Sequence, residues 1–185
     1  MMKSDFIWQY FEEVDMTEVS RVQKIYRGYL DKTEPNKAFF QNLSLPIREF
    51  MGLEVVRTVL IQIEPFSNGV IHTDFRDAEC DQNGGHTNIL SLNIPLENCL
   101  DSYTDIWESD HTPKIKYSPG SSVPYNSYPE YLCRKISSFT LDKPVIFRTD
   151  LPHSANNKQN QLPRKAISLR FRHDPWQWVN GLDHH

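Results

Sequence analysis

No apolar run in this 185-residue sequence approaches the roughly 18 residues that cross a membrane. The opening MMKSDFIWQYFEEVDM has no uncharged stretch of the kind a secretion signal needs, because Asp5, Glu12 and Glu13 interrupt it. Cysteine is scarce. Cys80, Cys99 and Cys133 are odd in number and far apart, which excludes a disulfide framework and a CxxC zinc site and points to a reducing, cytoplasmic setting. An excess of basic residues is missing too. Lys and Arg total 20 against 24 Asp and Glu, a net charge of −4, so there is no bulk attraction to nucleic acid or anionic lipid. Lys114, Lys116, Arg134 and Lys135 can still form a local basic patch. There is no internal repeat and no low-complexity tract. What remains, with 38% apolar and 24% charged residues, is the composition of one globular domain with its own core.

Residues 1–52 read as helical support. Phe6, Ile7, Tyr10 and Phe11 have helical spacing within Asp5–Val14, Thr17 can cap a second helix to about Leu30, and Pro46 suits the first turn of a third through Phe50. From residue 53 the pattern changes. LEVVRTVLIQI (53–63) is rich in β-branched residues and predicts a strand. GVIHTD (69–74), NILSLNI (88–94), YTDIWE (103–108), YLCRKISSFTL (131–141), PVIFRT (144–149) and RKAISLRFR (164–172) follow, separated by turn residues. Many short strands imply a mainly β fold, a sandwich or barrel over 53–172 with the N-terminal helices outside it and a tail over 173–185. Two polar stretches, 75–87 and 109–130, read as long loops, the second with a short strand at Lys114–Tyr117.

Three signals carry chemistry. Side chains alternate along a strand, so His72 and Asp74 share a face and can chelate one metal from one rigid element. His153 lies far along the chain. Brought beside the pair, it completes two imidazoles and one carboxylate, a facial set that leaves coordination positions open for substrates. The plain alternative for His72-Thr73-Asp74 is a surface histidine and a turn aspartate. In the last strand Arg164, Ala166, Ser168 and Arg170 point one way and Ile167, Leu169 and Phe171 the other. An Arg and a Ser on one buried face can hold a dicarboxylate; on an edge strand they merely face solvent.

Read in order, His72-x-Asp74, His153 and Arg164-x-Ala-Ile-Ser resemble the signature of the Fe(II)- and 2-oxoglutarate-dependent oxygenases. RKAISLRF is similar to the last core strand of prolyl-hydroxylase-like members, and LPHSANN with the later Arg164 to aspartyl/asparaginyl-hydroxylase-like members, which often lack the acid that this chain retains. The resemblance spans roughly Leu53 to Phe171. It implies a double-stranded β-helix (a jelly-roll, cupin-like barrel), with Fe(II) on His72, Asp74 and His153. It implies 2-oxoglutarate on Arg164 with help from Ser168, and Arg170 as a second candidate. The implied activity is that of a hydroxylase, turning 2-oxoglutarate into succinate while dioxygen oxidises a small-molecule, amino-acid or peptide substrate.

Other residues are weaker candidates. Asn93, Thr58 and Gln62 can line a pocket, and Asn156 orients a ligand or, more simply, turns the loop. His86 and His111 fall in polar loops, and His173 in a turn after the last strand. Trp176 and Trp178 suit a cover over the barrel. Tyr117, Tyr125, Tyr128 and Tyr131 sit among prolines, in a lid or in an ordinary long loop. Asp77, Glu79 and Asp81 read as a solvated cluster. Two other functions fit a jelly roll: a cupin-like metal enzyme without cosubstrate, against which Arg164 speaks, and a non-catalytic binding module whose histidines are structural.

Overall fold

The computed structural model describes residues 51–74, 90–117 and 124–173, together with 44, 45 and 47–49 and the backbone of 3–4 and 7–9. The strands in chain order are β1 (Lys3–Ser4), β2 (Ile7–Gln9), β3 (Val55–Ile63), β4 (His72–Asp74), β5 (Leu90–Glu97) and β6 (Tyr103–Glu108). They continue with β7 (Lys114–Tyr117), β8 (Pro124–Ser127), β9 (Arg134–Thr140), β10 (Val145–Arg148), β11 (His153–Asn156) and β12 (Arg164–Phe171). They form two six-stranded antiparallel sheets, ordered β1-β2-β10-β5-β12-β3 and β7-β8-β4-β11-β6-β9. The described residues are mainly β and form two antiparallel sheets, as expected, an arrangement consistent with a jelly roll. None of their helices is long and apolar enough to cross a membrane.

Pairing explains which strands carry the core. β5 and β12 are interior strands of the first sheet, with most residues of each buried and the rest half-buried. Ser168 lies opposite Asn93, and Ile167 opposite Ile94. One face therefore carries Ser91, Asn93, Arg164, Ser168 and Arg170, and the other Leu92, Ile94, Ile167 and Leu169. The first of these faces looks across to the second sheet. There Cys99, Ile106, Phe139, Leu141, Val145, Phe147 and Ala166 form an apolar cluster between the sheets. Polar residues thus share the inter-sheet space with apolar ones, an arrangement that needs internal hydrogen-bond partners.

Several expectations are corrected. The first helix, expected over Asp5–Val14, is crossed by β2. Residues 7–9 pair with Val145, Ile146 and Phe147, and the ladder with β10 overrides a local helical pattern. The remainder of that helix and the one expected over 17–30 lie outside the described residues. Residues 44, 45, 47–49 and 51 are helical, as expected around Pro46, with Ile47 and Met51 buried. Gly52 ends this helix at φ +67, its amide bonded to the carbonyl of Arg48. The expected loop 109–130 contains β7, as anticipated, but also β8, which pairs with β4 and β7. β11 was not expected as a strand, and Glu130–Leu132 is a 3-10 turn ahead of β9. The expected loop 75–87 falls wholly outside the described residues.

Candidate metal centre and active site

β4 and β11 are neighbours in the second sheet, and His153 pairs directly with His72. One ligand atom each of His72, Asp74 and His153 lies within 4.8 Å of the others. The two imidazole centroids are 4.4 Å apart. Residues 72, 74 and 153, picked out in the sequence, are brought to one point by a single strand pairing.

Both rings are held the same way. Nδ1 of His72 donates to the carbonyl of Val70 (2.8 Å), and Nδ1 of His153 to that of Leu151 (2.9 Å). A carbonyl can only accept, so the proton sits on Nδ1 and a neutral ring turns the lone pair of Nε2 toward the centre. Burial, then the neighbouring His72, pulls His153 down to about 3, against the opposing pull of Asp74 and the Leu151 carbonyl. The ring is therefore neutral at physiological pH. Phe147 packs edge-on against it at 5.2 Å. Burial acts to raise Asp74, but Arg170, then His153 and His72, and a hydrogen bond from the Thr149 hydroxyl outweigh it and hold the carboxyl at about 2. The Arg170 guanidinium donates to Oδ2 of Asp74 and to the Ser168 hydroxyl. Ser168 Oγ is 2.8 Å from Ser91 Oγ, whose hydroxyl donates to Asn93.

Arg164 has a different environment. It is 2% exposed, on the central strand β12 rather than an edge. Its Nη1 donates to the carbonyl of Tyr103 and its Nη2 to the hydroxyl of Thr104. Its Nε has no partner. No carboxylate among the described residues meets it. Burial pulls its pKa down, and the thiol of Cys99 is the group opposing that pull. A buried guanidinium without a counter-charge is costly, by several kcal/mol, and an entering anion relieves that cost. Thr104 lies two residues along β6 from Ile106, the partner of His153, so the strand that pairs with the candidate centre also carries a partner of the guanidinium.

The remaining candidates disperse. Asn93 is buried but bonded to Ser91, Thr58 is half-buried, and Gln62 is exposed and donates to Glu64. Asn156 donates to Asp105 and accepts from the amide of Lys158, a turn role rather than a ligand's. His111 and His173 are exposed, and His86, Trp176, Trp178, Asp77, Glu79 and Asp81 lie outside the described residues. Tyr117 and Tyr131 point to solvent, whereas Tyr125 meets the ring of His72 at 5.7 Å. The single basic patch is corrected. Lys114 and Lys116 are on β7 and Arg134 and Lys135 on β9, at opposite edges of the sheet, and the latter pair with Glu108 and Asp105. Sequence reasoning missed Thr149, Ser91, Thr104, Phe147 and the placement of Tyr125. Only Thr149 and Phe147, shortly before His153, had a positional hint.

No protein-family model matches the chain, and no curated protein matches its sequence. Solved structures do. The epimerase SnoN, crystallised with Fe3+, alpha ketoglutarate and nogalamycin RO, superposes with a TM-score of 0.53 at 14% identity, over 90% of this chain and 78% of SnoN. The non-heme alpha ketoglutarate dependent carbocyclase SnoK from nogalamycin biosynthesis gives 0.52 at 11% identity, over 89% of this chain and 79% of its own. The likeness establishes a shared fold.

Proposed function

We propose that this chain is a non-haem Fe(II)- and 2-oxoglutarate-dependent oxygenase, a hydroxylase of a small-molecule, amino-acid or peptide substrate. The observation that carries the reading is the convergence of His72, Asp74 and His153, with both imidazoles turned Nε2-inward by backbone carbonyls. Two neutral nitrogen donors and one carboxylate suit ferrous iron and leave positions open. The buried Arg164, with an unpartnered Nε, suits the far carboxylate of a short dicarboxylate. That SnoN is crystallised with iron and alpha ketoglutarate supports the same pairing.

Bound at this centre, iron with 2-oxoglutarate supplies dioxygen activation, releasing succinate and carbon dioxide as a substrate C–H bond is oxidised. The chain's own part is placement. His72 and His153 enter with fixed tautomers. Asp74 stays ionised against Arg170. Arg164, bonded to Tyr103 and Thr104 of the strand that pairs with His153, anchors the dicarboxylate. Ser168, on the same face, fixes the Arg170 side chain. Arg164 favours this reading over a cupin-like enzyme without cosubstrate.

The test is succinate release from 2-oxoglutarate with and without ferrous iron, beside calorimetric metal titration of the His72→Ala variant. We expect iron-dependent succinate and loss of metal binding in the variant. Metal affinity unchanged by His72→Ala sinks the assignment.

A further inference from the structure

The β7–β8 hairpin widens the second sheet beyond β4, on the side of the candidate centre away from β6. Its register fixes which side chains flank that centre. Asp74 lies opposite Tyr125, and Tyr125 opposite Lys116; His72 lies opposite Ser127, and Ser127 opposite Lys114. Directly opposed residues of antiparallel strands point to the same side. The edge-on contact of Tyr125 with His72, at 5.7 Å, agrees. Tyr125, Lys114 and Lys116 therefore stand on the ligand-bearing face, with Lys116 two strand spacings, about 10 Å, from Asp74.

All four residues of β7 are exposed, so burial selects neither of its faces. Here Ile115 and Tyr117 take the outer face, 56% and 63% exposed, and the two lysines take the face of the centre. Neither lysine has a hydrogen bond or ion pair among the described residues. Edge lysines discourage strand-to-strand association, but they do so from either face. That duty does not select a face, whereas an anion seated between the lysines and the centre does.

We propose that Lys114 and Lys116 bind an anionic group of the substrate, a carboxylate or phosphate, while Tyr125 packs against the part that reaches the metal centre. The substrate class is thus a small organic anion. The inference rests on the oxygenase reading for the nature of the centre, not for the charge of the ligand.

The test uses the full chain loaded with zinc and saturated with 2-oxoglutarate, titrated calorimetrically with phenyl phosphate, benzoate and neutral benzyl alcohol. We expect at least one anion to bind about ten-fold more tightly than the alcohol, with that preference abolished in K114E/K116E. The tighter of the two anions identifies the oxyanion. Both lysines are exposed, so the variant keeps its fold, and its zinc and 2-oxoglutarate affinities should match the wild type's. No preference for either anion, or a preference that survives K114E/K116E, overturns the proposal. If the wild type fails to bind zinc, the oxygenase reading falls instead, and the same titrations on metal-free protein still decide the role of the lysines.

Discussion

Arg170 reaches across the two sheets to donate to Oδ2 of Asp74, a residue 96 positions earlier in the chain. The contact ties the central strand of the first sheet to the short strand carrying two of the three candidate ligands. It also sets a chain of hydrogen bonds through Ser168 and Ser91 to Asn93, so the orientation of one carboxylate is fixed by three strands.

Arg170→Ala should loosen that carboxylate without removing a ligand. Partners that orient ligands typically carry 10- to 100-fold in metal affinity, and a loss of about that size is expected in a zinc or cobalt titration. Arg170→Lys, which keeps the charge but not the fork, should recover part of it. Wild-type affinity in Arg170→Ala would show that the strands alone orient Asp74.

Arg164→Met separates binding from folding. The methionine removes a buried, uncompensated guanidinium while filling much of its volume, so the ligand-free protein should be as stable as the wild type or more so, by up to about 3 kcal/mol. The same change should weaken 2-oxoglutarate binding by about 100-fold or more, since a buried charge partner is lost. Thermal melts and calorimetry on one preparation check both. Unchanged cosubstrate affinity would move that role to another residue.

Much of this was legible in the sequence, for definable reasons. Val55–Ile63, Tyr103–Glu108 and Arg164–Phe171 are β-branched or alternating, so local pattern and tertiary pairing agree. His72 and Asp74 announce themselves by a spacing of two on one strand. PYNS in β8 and HSAN in β11 carry no strand signal of their own, and only their neighbours in the sheet make them strands. Residues 7–9 have helical spacing yet follow the ladder with β10. The Arg170–Asp74 contact and the splitting of the basic residues between two edges are consequences of strand order, which no window of sequence contains.

Acid should destabilise the metal-free protein before it protonates Asp74. His153 titrates at about 3 when folded, against 6.5 ordinarily. Between those values the unfolded chain binds the extra proton, so stability rises with pH across that window and falls as pH drops through it. Asp74, lowered to about 2 from 3.8, adds stability that is present above 3.8 and lost as pH falls toward 2. Melting temperature should therefore decline from about pH 6.5 downward. His153→Gln should flatten the upper part of that slope. An equal slope in the variant would assign the acid sensitivity elsewhere.

Phe147 joins the core to the centre, because it belongs to the inter-sheet cluster, packs on Phe139 at 5.6 Å and meets His153 edge-on. Phe147→Ala opens a cavity in a residue only 2% exposed, and a loss of about 3–5 kcal/mol is expected on denaturant unfolding. Phe147→Leu keeps most of the buried volume and should cost less. It takes away the flat edge that fixes the imidazole plane, though, leaving the Leu151 carbonyl as the restraint on the ring. If the aromatic contact positions His153, Phe147→Leu should weaken metal binding more than its stability loss alone accounts for, measured at a temperature where the variant is fully folded. Metal affinity equal to that of the wild type under those conditions would confine Phe147 to the core.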